Sequence, residues 1–489
     1  MGDFTRPILA AADMLFNTKQ QAPQYGDLHI EGAPGLTIPV DVLNRHMLIA
    51  GSTGVGKSQM LSRIIINVLS RIKAGDGDIL ILTDSGGVFT KSFYKQGQAL
   101  MLYPSDARSL SWDLTREIKE AEDAKLMAES LVPEIGAEDG ANKQWTVYGR
   151  TLMAPAIELA THWQRAGGLK DRSVYSVLRE IVLETQDPNK LLKLYAGTNA
   201  TAFIGDSKIL TSVRTTVSPF FEALDFIRPP QNGGQGFGIR DWLRAVVMDK
   251  TAGPRVLILP YRDKDRYLYS QLYATWLSLI ATELMCIDAS VKRRVWLIAD
   301  EMDSLGKISA LQNALAQGRK YGLVFIGALQ SIAQLQKTYG NLSAQTIEAT
   351  TATKVIFNPG SSVNDAEHWS KTLGEEETTK ISTGQQMGQN SSMSETRTKA
   401  REKSYPIEKL RALKIGEAVV MMADRVFNYK AKGPIVLDVI APDFVPAPTA
   451  QQRVMPSFDI ISKSDDDEQP ERKSRGDKQI KKNRDKKYF

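Results

Sequence analysis

Seven short apolar runs rich in β-branched residues punctuate the chain, at 46–50, 79–82, 99–103, 256–259, 295–299, 323–326 and 354–357. Most lead into a turn and then into apolar residues at helical spacing. That alternation predicts parallel strands covered by helices on both faces, an α/β core. Further on, runs at 418–423 and 426–429 flank Asp424-Arg425 and predict a hairpin, with 435–440 as a third strand. Between about 113 and 220 the pattern changes. Helix-spaced apolar residues over 121–131, 145–164, 173–185 and 208–224, with polar loops between them, predict an all-α insertion. Two stretches rich in Gly, Ser and Gln, 231–238 and 382–395, read as mobile loops.

The expected organisation is therefore a first core segment over 1–112, the insertion over 113–220, a second core segment over 221–450 and a charged tail over 451–489. Apolar residues make up 42% of the 489, enough for a large core. The lone cysteine, Cys286, excludes an internal disulfide framework; it suggests a reducing compartment and reads as a small buried residue. No apolar stretch reaches the roughly 20 residues of a membrane span. The nearest, 267–285, carries Gln271 and Glu283 and reads as a buried helix. The net charge of +6 lies wholly in residues 471–489, where nine Lys or Arg face three Asp or Glu. Preceded by Asp465-Asp466-Asp467-Glu468, this end is expected to be disordered, either simply solvated or an electrostatic arm for an acidic partner.

One octet carries specific chemistry. Gly51, Ser52, Thr53, Gly54, Val55, Gly56, Lys57 and Ser58 fit G-x-x-x-x-G-K-[ST], between a predicted strand and a predicted helix. The glycines let backbone N–H groups converge on phosphate oxygens at the positive end of the helix, Lys57 is placed for the β- and γ-phosphates, and Ser58 for Mg²⁺. A second strand ends in Asp300-Glu301. Asp300 is the candidate Mg²⁺ carboxylate and Glu301 the group that orients or deprotonates an attacking water, which favours ATP hydrolysis. Gln330, at the end of the 323–326 run, reads as a γ-phosphate sensor or as a cap of the next helix. Arg319 reads as a helix-dipole partner or as an arginine finger for a neighbouring subunit. Arg262, Lys264 and Arg266, with Tyr261 and Tyr267 able to stack, are candidate DNA contacts or a solvated loop balanced by Asp263 and Asp265.

In this order the motifs resemble the type IV coupling proteins of bacterial conjugation and secretion, the TraD-like DNA-transfer ATPases, over about residues 40–440. The resemblance rests on GSTGVGKS, on a second strand ending Asp84-Ser85-Gly86-Gly87, and on Gln144-Trp145-Thr146-Val147-Tyr148-Gly149-Arg150 in the insertion. It also rests on Asp300-Glu301 followed by Ala314-Leu315-Ala316-Gln317-Gly318-Arg319-Lys320 and Leu329-Gln330-Ser331. The resemblance implies a RecA-like P-loop motor with ATP and Mg²⁺ as cofactors and an inserted all-α domain, forming a homo-hexamer that could assemble on DNA. It implies that the motor pumps relaxase-bound single-stranded DNA toward a type IV secretion channel at the inner membrane. Lys57 and Ser58 carry over as Walker A, Asp300 and Glu301 as Walker B, Gln330 as sensor and Arg319 as finger. Trp145 matches an aromatic that couples DNA to hydrolysis, although it equally suits a core tryptophan. The family commonly has Pro where this chain has Ser85, and most members carry an N-terminal membrane hairpin that is not seen here. Either the chain docks onto a membrane partner at the cytoplasmic face of the inner membrane, or the hairpin has been removed ahead of the first residue. Two other readings stay open: a pump for double-stranded DNA, and a secretion receptor for protein substrates.

Overall fold

The computed structural model describes residues 27–134, 140–169, 172–230, 236–290, 292–385, 393–422 and 425–447. Along it lie β1 (Leu28–Ile30), β2 (Leu36–Ile38), β3 (Met47–Ala50), β4 (Ile79–Ser85), β5 (Leu100–Met101), β6 (Val256–Tyr261) and β7 (Val295–Ala299). They are followed by β8 (Leu323–Leu329), β9 (Thr353–Phe357), β10 (Glu375–Gln385), β11 (Met393–Lys403), β12 (Glu417–Met422) and β13 (Arg425–Lys430). Nine strands form one sheet in the order β13, β12, β9, β3, β8, β7, β4, β6, β5. From β9 to β5 every pairing is parallel. The hairpin β12–β13 adds an antiparallel edge. Every residue of β3, β7, β8 and β9 is buried, as parallel strands covered on both faces require.

Helices supply that cover. The helix Lys57–Ala74 starts at Gly56 and turns Met60, Leu61, Ile64, Ile65 and Val68 into the core at helical spacing, then ends on the left-handed Gly75. From Tyr269 onward the helix Arg266–Met285 is buried on nearly all sides, which explains why its apolar residues, among them Leu272, Trp276 and Ile280, keep to no single face. Among the described residues no helix is long and apolar enough to cross a membrane.

Residues 114–224, where described, form helices and no strand. The main ones are Ala121–Leu131, Gly140–Arg165, Val174–Arg179 and Ser207–Leu224. Glu117 pins both ends of this segment. Its buried carboxylate accepts from Trp112 Nε1 at 2.8 Å on the way in, and from the Ile239 and Arg240 amides at 2.7 and 3.1 Å on the way out. Burial pushes that carboxyl up to about 7 despite the donors.

Four local expectations are corrected. Residues 435–440 join no sheet; their backbone is engaged by side chains and loops, as when Ile435 N donates to Gln59 Oε1 and Gln59 Nε2 to Ile435 O. Within the stretch 382–395, expected as a loop, residues 382–385 and 393–395 are rungs of the ribbon β10–β11, with Gln385 opposite Met393. Backbone pairing there overrides a composition that lacks apolar alternation. Cys286 is exposed at the end of its helix rather than buried. Tyr261 is 2% exposed within β6, so its ring is closed to stacking. The tail 451–489, residues 231–235 and Asp424 fall outside the described residues.

Candidate nucleotide site

The sheet order places the chemistry. β8 lies between β3, which runs into the octet, and β7, which runs into Asp300-Glu301. All three are parallel, so their carboxyl ends open on one edge, where ligands bind in open α/β sheets. Gln330, following β8, therefore stands between the other two motifs. Its Nε2 donates to Glu301 Oε1 at 2.5 Å, and its Oε1 accepts from Thr53 Oγ1 at 3.3 Å. Ser85, at the end of β4 on the far side of β7, donates to Glu301 Oε2 at 3.1 Å. Thr53, Gln330, Glu301 and Ser85 thus form one hydrogen-bonded chain across four strand ends.

The octet closes as a loop around its own lysine. Lys57 Nζ donates to the carbonyls of Gly51 and Ser52 at 2.6 and 2.8 Å, which holds the ammonium over the loop's mouth. Gly51 has φ +153° and Gly56 φ +117°, and a Cβ on Gly51 would lie 2.7 Å from Phe357 Cβ. From behind, the loop rests on the turn after β9: Ser52 N and Oγ donate to Asn358 O at 2.9 and 3.0 Å. Gly416 N, just before β12, donates to Val55 O at 2.9 Å.

Asp300 is mostly buried. Burial, and then the charges of Asp84 and Glu301, push its carboxyl up to about 7 against the pull of Lys57. Asp84 is raised to about 6 by burial, although Phe89 N, Thr90 N and Thr90 Oγ1 all donate to it. Both folded values exceed the ordinary carboxylate range, so folding takes up protons. The stability this pocket contributes is complete below about pH 4 and is lost as pH rises through 6 to 7. Asp300→Asn, neutral at every pH, is expected to melt higher than wild type at about pH 8 in the absence of nucleotide, and to lose most of the difference near pH 4. Thermal melts at the two pH values check this; parallel curves for the two proteins would refute the shift.

His46 secures the opposite end of the strand that runs into the loop. It is buried with φ +66°, and its Nδ1 accepts from Phe325 N at 3.1 Å, so the protonated Nε2 donates to Leu315 O at 3.0 Å. Burial lowers its pKa to about 4, keeping this tautomer neutral at physiological pH. The ring thus joins the foot of β3 to the helix Leu311–Gln317 that leads to Arg319.

The remaining sequence candidates are scattered. Arg319 is exposed in the short helix Gly318–Tyr321, before β8, at the sheet edge opposite its own chain's octet. Trp145 is half-buried in the helix Gly140–Arg165, edge-on to Tyr148 at 6.0 Å, and Tyr148 stacks on Phe203. Arg262 is tied down: it pairs with Asp265 at 3.2 Å and lies over the Phe444 ring at 3.5 Å. Lys264 is exposed on the turn Asp263–Asp265, and Arg266 opens the helix after it. The sequence reading passed over Asn358 and Gly416, and treated Ser85 as a departure rather than a contact. The Asn358-Pro359-Gly360 turn after a predicted strand was the available signal for the first.

Known proteins resemble this chain in both sequence and fold. The chain is 28% identical over 342 residues to coupling protein TraD of Escherichia coli K12, an overlap of 69% of this chain; the chain spans 45% of TraD's own length. It superposes on plasmid coupling protein TrwB in complex with ADP and Mg²⁺ with a TM-score of 0.71 at 26% identity, covering 89% of this chain and 95% of TrwB. The TrwB complex with the non-hydrolysable analogue ADPNP gives 0.72 over the same shares. The fold is thus that of a RecA-like P-loop protein. Residues 31–431 match the model of the type IV secretion-system coupling protein DNA-binding domain, and the chain belongs to that family.

Proposed function

We propose that this chain is the ATP-hydrolysing motor of a conjugative coupling protein, which moves relaxase-bound single-stranded DNA toward a type IV secretion channel at the inner membrane. The observation that carries the reading is the chain of hydrogen bonds from Thr53 through Gln330 to Glu301. It links the loop that receives phosphates to the one carboxylate suited to activate water. TrwB, whose solved chain is matched over 95%, has been captured with ADP and Mg²⁺, and the residues here suit the same ligands. Lys57 lies beside the loop carbonyls, Ser58 is exposed next to it, and Asp300 is a carboxylate within its electrostatic reach.

In this reading the loop amides and Lys57 bind the phosphates. Ser58 and Asp300 would hold Mg²⁺, which when bound neutralises charge on the phosphate oxygens. Glu301, fixed on one oxygen by Ser85 and on the other by Gln330, orients a water and takes its proton. Gln330 also touches Thr53, so a change in the loop reaches Glu301 directly. Arg319 cannot serve its own site from the opposite sheet edge; it fits a site on an adjacent copy in a hexameric ring. The insertion over 113–220, with Trp145, is the lobe that meets substrate. Docking at the cytoplasmic face and relaxase recognition belong to the same proposal.

The test is steady-state ATP hydrolysis against protein concentration, with no DNA, oligo(dT) or duplex. Rates rising cooperatively with protein, and rising further with single strands, are expected. Duplex preference would redirect the reading to a double-strand pump, and indifference to all DNA to a receptor for protein substrates.

A further inference from the structure

A cleft of about 600 Å³ opens between the helical segment and the core. Its construction is specific. The floor is residues 304–307, which begin in the short turn Met302–Ser304 after Glu301, and one wall is the helix Ile332–Tyr339, which starts two residues after Gln330. The opposite walls are the helices Arg266–Met285 and Ser207–Leu224. The two residues that face the phosphate loop therefore each continue directly into this cleft. Ser304 makes the floor's connection explicit: its Oγ donates to Glu301 O at 2.7 Å and pairs with the Tyr261 hydroxyl.

Among the described residues the lining carries three cations, Arg266, Lys307 and Lys337, and no acidic one. In a chain whose first 470 residues carry no net charge, that imbalance is local and marked. Lys307 reaches across to the Glu134 carbonyl at 3.1 Å, while Lys337 is exposed. At the rim Tyr267 is 91% exposed, an aromatic face presented to solvent, and Phe220 lines the apolar side. Cations along a groove with an accessible aromatic ring are what a single-stranded nucleic acid requires: charge for its phosphates and a platform for an unpaired base.

We infer that this cleft seats single-stranded DNA, with Arg266, Lys307 and Lys337 neutralising its phosphates and Tyr267 stacking a base, and that its floor and wall relay occupancy to Glu301 and Gln330. The inference rests on the DNA-motor reading and adds to it the place where the strand lies against the hydrolytic site. A strand drawing on Lys307 or Lys337 pulls on the turn after Glu301 or on the helix after Gln330. Both of those residues share one hydrogen bond.

The experiment measures anisotropy of fluorescein-labelled oligo(dT) with the full chain across a salt series, alongside oligo(dT)-stimulated hydrolysis. Wild type is compared with the double variant Lys307→Ala, Lys337→Ala, with Tyr267→Ala, and with Lys73→Ala on the helix Lys57–Ala74 as an outside control. The double variant should lose about 1.4 from the slope of log affinity against log salt, roughly 0.7 per phosphate contact. Tyr267→Ala should weaken binding about tenfold. Both should lose stimulation of hydrolysis, and Lys73→Ala should match wild type. Lys337→Glu, at an exposed position, gives a second reading with a larger loss; melting curves establish that each variant is folded. If wild type binds oligo(dT) and the cleft variants match it at every salt concentration, the strand lies elsewhere and the cleft assignment fails while the motor reading stands. If wild type binds no oligonucleotide, the motor reading itself fails.

Discussion

Lys57→Ala is expected to slow ATP hydrolysis by about 10²–10³-fold, the usual cost of removing one preorganised charge from a developing oxyanion. In the structure the ammonium is anchored by two loop carbonyls, Gly51 O and Ser52 O, so its position is set before any ligand arrives. Preorganisation of this kind requires no rearrangement during reaction, which is why its removal is felt mainly in the rate. The loop itself should survive the change. Its shape is held by Asn358 behind Ser52 and by Gly416 behind Val55, neither of which involves the lysine side chain. Melting curves should therefore stay close to wild type while phosphate release collapses. A variant retaining more than about a tenth of wild-type turnover would remove Lys57 from the reaction as described here.

Glu301→Gln should lower kcat by about 10²–10⁴-fold, the range attributed to a positioned general base, while leaving nucleotide affinity within a few-fold of wild type. The substitution keeps size and planarity. One amide oxygen can still accept from Gln330 or Ser85, but the group no longer takes a proton from water. With its oxygen toward Gln330 Nε2 the new amide can donate to the Ser85 hydroxyl, which rotates to accept, so both contacts persist and stability should stay close to wild type. The decisive comparison is kcat against the affinity for a fluorescent nucleotide. A raised KM at unchanged kcat would mean that Glu301 only binds, and the water-activating role would then pass to another group.

These two residues were plain in the sequence because their signals are local. A phosphate loop needs its glycines, lysine and hydroxyl within eight consecutive positions, and a buried strand ending in carboxylates is visible as an apolar run with an acidic stop. The same locality made β7 recoverable to the residue, and the helix Ala121–Leu131 likewise. What stayed hidden depends on contacts between distant segments. Whether Gln330 caps the next helix was not readable until the fold gave that cap to Ser331 and set the Gln330 amide between Glu301 and Thr53. Ser85 looked like a family deviation until β4 was seen beside β7, where its hydroxyl meets Glu301. Asn358 lies 306 positions from Ser52, beyond any pattern a local window can read. The ribbon β10–β11 was missed for a different reason: it forms a two-stranded sheet of its own, and its sequence carries no apolar alternation to announce it. Residues 435–440 misled in the opposite direction. Their apolar content resembles a strand, yet Val436, Val439 and Ile440 are exposed.

That same segment has a mechanical consequence. After β13, at one margin of the nine-stranded sheet, the chain does not turn away. It meets Gln59 and Arg63, takes up the Lys91 carbonyl through the Ile440 and Ala441 amides, and joins Ser105 and Ala107 beside β5 at the other margin. Phe444 settles on Tyr103 and under Arg262 as it goes. The sheet is therefore girdled across its whole width, with its two outermost strands tethered by a single stretch of backbone. A pull on whatever follows Ala447 is first borne at the β5 margin. It must peel the girdle contact by contact across the helix Lys57–Ala74 before it can strain the hairpin at the far side.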